Sequence, residues 1–142
     1  NYTRKISMEK GEAIVSIAGP IMNFLLAIVF SIIYFGIFKF AGLSFIATTS
    51  GDIIMKMIMS AISINVGLGL FNLIPLPPLD GSKVIMPFLP YNAKNWFRNN
   101  EGIFYIVFIV IWITGLASYI ISPAIQTVGG WILNLGIAIW GL

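Results

Sequence analysis

No histidine and no cysteine occur among the 142 residues, and eight basic and five acidic side chains are the whole of the charge. The missing cysteines exclude disulfides and thiolate metal sites, and leave the redox compartment undetermined. The scarcity of charge excludes a water-soluble fold, because 58% of the residues are hydrophobic and the mean hydropathy is +0.97, beyond what a soluble surface of this size carries. Charge is also absent in blocks. None falls between Glu12 and Lys39, between Lys56 and Asp80, or after Glu101, which leaves gaps of 26, 23 and 41 residues. A hydrocarbon core about 30 Å thick takes roughly 20 helical residues to cross.

These gaps predict an all-α integral membrane protein with three or four transmembrane helices in one domain, residues 1–142. Spans are expected at about 13–38, 54–74 and 103–121, the last ended by Ser122-Pro123, with a further candidate at 124–142. Gly19-Pro20 removes a backbone donor inside the first span and predicts a kink. Residues 1–12 read as a polar surface approach and 39–53 as a polar connection with room for a re-entrant apolar stretch. Residues 82–101 read as a short interfacial element and a loop. The chain opens at Asn1 rather than a methionine, so processing or a longer product is expected. Its first apolar run is far longer than the roughly 7–15 residues of a signal-peptide core.

The net charge of +3 comes from connecting segments, where lysine and arginine meet lipid phosphates, and gives no indication of nucleic-acid binding. Three basic residues precede the first span, two separate the first and second, and three follow the second. The expected orientation in the cell membrane puts the N-terminus and the Asp80 loop in the cytoplasm. The tryptophans read as interface anchors and Lys83 as a snorkelling side chain. Glu9, Glu12, Asp52 and Glu101 read as solvated span ends.

The second span carries Asn65, Gly69 and Asn72 on one helical stripe. Pro75, Pro77 and Pro78 then make a continued helix costly, so the backbone is expected to turn extended and deliver Asp80-Gly81. A carboxylate beside a membrane span is expensive without a partner, and irregular backbone at membrane depth persists only when buried in protein or lining a watery cavity. Such a place suits a metal or a substrate backbone; a plain turn leaving the membrane, with Asp80 solvated, fits the residues equally. Asn23 and Asn65 fit interhelical hydrogen bonding, worth about 1 kcal/mol.

The segment Phe71-Asn-Leu-Ile-Pro-Leu-Pro-Pro-Leu-Asp-Gly81 resembles the Asn-x-x-Pro-x-Pro-x-Leu-Asp-Gly signature of the site-2 protease family of intramembrane zinc metalloproteases. The stretch Gly11-Glu-Ala-Ile-Val-Ser-Ile-Ala-Gly-Pro-Ile-Met-Asn23 resembles the family's preceding Ala-Gly-Pro-x-x-Asn motif. The resemblance covers about residues 9–90 and is greatest to the small prokaryotic members that lack an inserted PDZ domain. It implies a zinc ion held by two histidines of a His-Glu-x-x-His helix and by Asp80, with the motif glutamate as general base toward zinc-bound water. It further implies that Asn72, Pro75, Pro77, Gly81 and Asn23 line the cleft. The implied substrates are membrane-anchored proteins, cut in or near their transmembrane helices.

This sequence departs from the family in having no His-Glu-x-x-His helix, so the two histidine ligands and the catalytic glutamate are not among these residues. The expectation is the C-terminal part of such a protease, with the general base upstream. The alternative is a non-catalytic membrane subunit or a transporter-like module whose broken helix lines a solute path.

Overall fold

The computed structural model describes residues 2–142, and their regular structure is helical throughout, with no strand among them. Helix α1, Tyr2–Ile46, runs 45 residues with a kink at Gly42, and its part before the kink, residues 2–41, covers about 60 Å at 1.5 Å per residue. It therefore carries the charged residues 4–12 as a helical extension of the first span. Its one interior residue with non-helical dihedrals is Gly42 (φ 72°, ψ 174°), while Pro20 sits inside the helix. Helix α2, Thr49–Asn72, follows almost at once. Thr48 makes that tight reversal, its hydroxyl donating to the Phe45 carbonyl at 2.6 Å and accepting from the Gly51 amide at 3.0 Å. The polar connection expected at 39–53 is thus nearly all helix, because one capping threonine suffices to close the hairpin.

Beyond the proline segment come α3 (Asp80–Ile85), a 3₁₀ turn (Met86–Phe88), α4 (Tyr91–Asn99), α5 (Glu101–Ile113) and α6 (Leu116–Trp140). The break in the last apolar block lies at Gly115 rather than at Ser122-Pro123, which corrects the expected boundary at 121. Thr114 returns its hydroxyl to the Val110 carbonyl at 2.7 Å, and Gly115 takes φ +74°, a conformation that suits glycine. Pro123 is accommodated inside α6, as membrane helices permit when neighbouring groups adjust. Among the described residues, α1, α2 and α6 are long and apolar enough to cross a membrane. Helix α5, at 13 residues, is shorter.

These three long helices share one core, in which Ala27, Ile62, Val66 and Ile132 are buried and Phe24, Ile28 and Leu133 pack around them. Their outward faces are apolar as well: Ile14 of α1, Ile64 of α2 and Ile120 of α6 are each more than half exposed. Water would not tolerate so continuous an apolar surface, and lipid does. Close approach to α1 occurs where a partner helix offers glycine. A Cβ on Gly69 would stand 2.9 Å from the Phe24 ring, and one on Gly136 would fall on the Ser31 hydroxyl and 2.8 Å from Phe35. The buried Ser31 hydroxyl donates to the Ile132 carbonyl at 3.0 Å. Trp140 does more than anchor an interface, since its indole N–H donates to the Ile32 carbonyl at 2.8 Å with Gly36 beneath the ring.

Replacing Gly136 by leucine drives a side chain into Ser31 and Phe35, and overpacking of this kind costs about 1–3 kcal/mol. Thermal unfolding in detergent should therefore show a lowered midpoint for Gly136→Leu. Gly129→Ala, where an added Cβ meets nothing within 4 Å, should leave it unchanged or raised, because alanine outranks glycine in a helix by about 1 kcal/mol.

Candidate metal-ligand loop

Helix α2 stops at Asn72, and residues 73–79 descend through successive tight turns. The amides of Leu73 and Ile74 donate to the Leu70 and Phe71 carbonyls, Leu76 to Ile74, and Leu79 to Leu76. No strand forms here, so the extended approach to Asp80 is replaced by turns. The prolines at 75, 77 and 78 cannot donate, and turns satisfy the amides that remain. Pro77 is buried, whereas Pro75 and Pro78 are exposed. Leu79 is extended (φ −75°, ψ 154°) and Asp80 opens α3.

Gly81 fixes how this turn closes. A Cβ at that position would fall on the carbonyls of Leu73 and Ile74, so the start of α3 lies against the end of α2 at a distance only glycine allows. Ser82, buried at 6% exposure, donates its hydroxyl to the Leu79 carbonyl at 2.8 Å. Sequence reading passed over Ser82; its one signal was a hydroxyl at the third helical position, within reach of the capping residue's carbonyl.

The half-buried Asp80 side chain faces α1. Its Oδ2 lies 3.7 Å from where a Cβ on Gly19 would be, so the Ala-Gly-Pro stretch of α1 and the Leu-Asp-Gly turn meet at this carboxylate. No ion pair involves Asp80 among the described residues, and the nearby Lys83 is exposed. Asn23 and Asn72 are half-buried and form none of the side-chain hydrogen bonds described. Asn65 does not bridge helices, because its amide donates to the Ala61 carbonyl of its own helix at 2.8 Å.

Next to the turns, a cavity of about 450 Å³ is lined by Pro77, Pro78, Ser82 and several charged side chains, among them Glu12, Lys83 and Glu101. Glu9 and Arg98 also border it. Glu9 is not the solvated end its position suggested: its carboxylate accepts from Lys94 at 2.6 Å and from Arg98 at 2.7 Å, with its side chain 13% exposed. Those two partners sit on α4, one turn apart, so a single carboxylate ties α4 to the start of α1. Glu12, Asp52 and Glu101 are exposed.

Zinc needs three or four ligands from nitrogen, sulfur or carboxylate oxygen. Among the described residues no three His, Cys, Asp or Glu side chains gather closely enough to hold a metal. Asp80 offers a carboxylate that no described ion pair engages, which suits one ligand, and the residues present do not make a zinc site by themselves.

The model of the family described as Peptidase family M50 matches residues 36–115, a stretch that contains the whole Asn72–Gly81 segment. The chain is 34% identical over 132 residues to "Putative zinc metalloprotease YwhC" of Bacillus subtilis (strain 168), an alignment that covers 89% of this chain and 57% of that protein. The chain thus spans little more than half the length of this curated relative. No solved structure matches it.

Gly81→Ala should force α3 away from the end of α2 at a cost of about 1–3 kcal/mol. Hydrogen exchange should then speed up at the amides of residues 79–85 while those of α6 keep their protection.

Proposed function

Since this chain belongs to peptidase family M50, the site-2 proteases, we propose that it forms the C-terminal part of a membrane-embedded zinc metalloprotease, with Asp80 as the third zinc ligand. The substrates under this reading are membrane-anchored proteins, hydrolysed in or near their transmembrane helices. The observation that carries it is the Asp80 carboxylate, held against Gly19 and ion-paired with no cation among the described residues, on a turn that Gly81 and Ser82 fix. A structural carboxylate at this depth would be expected to carry a basic partner, whereas a ligand is kept free for its metal.

The reading assigns each part of the loop a task. Gly81 and Ser82 hold the orientation of Asp80, and the buried Pro77 keeps the approach rigid. Under this reading Asn72, Pro75, Pro77 and Gly81 of the loop and Asn23 of α1 line the cleft, where the polar amides can meet an unwound substrate backbone. The two histidine ligands and the general-base glutamate have no counterpart among these residues, so this function requires them from elsewhere in the protein. The N-terminal end of α1 and the Asp80 loop are assigned to the cytoplasmic side of the cell membrane, from the balance of basic residues.

The full-length protein should bind about one zinc per chain and cleave a membrane-anchored reporter. Asp80→Asn, nearly isosteric, should sharply reduce metal content measured by inductively coupled plasma mass spectrometry and abolish cleavage, while its thermal midpoint matches that of the chelator-treated, metal-free wild type. Undiminished zinc and activity in Asp80→Asn would remove the carboxylate from the ligand set.

A further inference from the structure

The clasp that joins α4 to α1 leaves positive charge over. Two cations, Lys94 and Arg98, share the one carboxylate of Glu9, and the Lys94 side chain is only 15% exposed. A cation so far removed from water and not fully compensated calls for an anion. An ammonium brings three donors and a guanidinium five, and Glu9 takes one from each. Lys94, Arg98 and the shared Glu9 line a cavity of about 290 Å³, to which Lys5 adds a third positive charge against that one carboxylate, and Leu89 and Tyr91 give apolar wall. On the other side of the clasp, the cavity beside the proline turns holds three carboxylates, Glu9, Glu12 and Glu101, against Lys83 and Arg98. The excess of positive charge is therefore confined to the Lys5 side.

The surroundings indicate where the anion comes from. Phe88 is 84% exposed, Tyr91 69% and Trp96 59%, and they lie on or just before α4, beyond the charged end of a membrane helix. Exposed aromatic side chains at that level sit among lipid headgroups. We propose that Lys5, Lys94 and Arg98 form a binding site for the phosphodiester headgroup of an anionic phospholipid, with its glycerol and upper acyl carbons lying along Leu89 and Tyr91. Basic pockets at the membrane interface take such headgroups through the same charge-assisted hydrogen bonds that bind other phosphates. The site uses neither Asp80 nor a metal, and stands or falls separately from the protease reading.

The test is native mass spectrometry of the full-length protein, released from micelles containing equal phosphatidylglycerol and phosphatidylcholine. The wild type should retain phosphatidylglycerol preferentially. Lys5→Gln and Arg98→Gln should each weaken that preference about fivefold, the worth of one basic residue at a membrane surface, and Lys56→Gln, on the far side of the bundle, should leave it intact. Lys5 is exposed and makes none of the described ion pairs, so Lys5→Gln decides the matter even if Arg98→Gln fails to fold. Equal retention of both lipids by the wild type overturns the proposal, as does an unchanged preference in Lys5→Gln or an equal loss in Lys56→Gln. Displacement of the lipid by millimolar inorganic phosphate also overturns it, since the site would then be one for free anions.

Discussion

Everything in this molecule hangs on how closely two helices approach α1. Within a bilayer the apolar exterior of a helix gains nothing by leaving lipid for protein, so association rests on van der Waals fit and on hydrogen bonds made at short range. Gly69 of α2 receives the ring of Phe24, and Gly136 of α6 receives Ser31 and Phe35. The second approach lets a buried hydroxyl reach the Ile132 carbonyl. With α2 and α6 set on α1 in this way, the turns that follow α2 have a fixed surface on which to lay Asp80 beside Gly19.

The proline turns show the same economy at smaller scale. Three prolines withdraw three donors from a segment that still has to bond its remaining amides, and the chain answers with short-range turns rather than with pairing to a neighbour. Gly81 then permits the first turn of α3 to rest on the carbonyls that α2 leaves open at its end. A carboxylate borne on such a turn has little freedom to search, which is the condition a ligand or a buried recognition group must meet.

Much of this was legible in the sequence because charge is so scarce. The uncharged gaps announced the long helices, and the Asn72–Gly81 segment announced both the end of α2 and the carboxylate after it. Proline was over-read and glycine under-read: Pro123 lies inside α6, while Gly115, helped by the back-bonded Thr114, makes the turn. Asp80 was visible as a motif, yet its position against Gly19 depends on the packing of α1 with the loop, which no local pattern encodes. The Glu9 clasp was the hardest to foresee. Its partners are 85 and 89 residues away in the chain, and an acidic residue near a span end has the same local sequence whether it is solvated or paired.

The shortness of α5 has a consequence for the bilayer itself. Thirteen residues cover about 20 Å, well under a hydrocarbon core of about 30 Å. This helix stands against the end of α2, with Phe71 packed 6.0 Å from Phe108 and 5.6 Å from Trp112, ring centre to ring centre. Lipid beside a short apolar helix compresses to match it, at a fraction of a kcal/mol per ångström of mismatch. Where α5 crosses the bilayer, compression along this flank shortens the distance from the headgroup level to the proline turns and so to the half-buried Asp80.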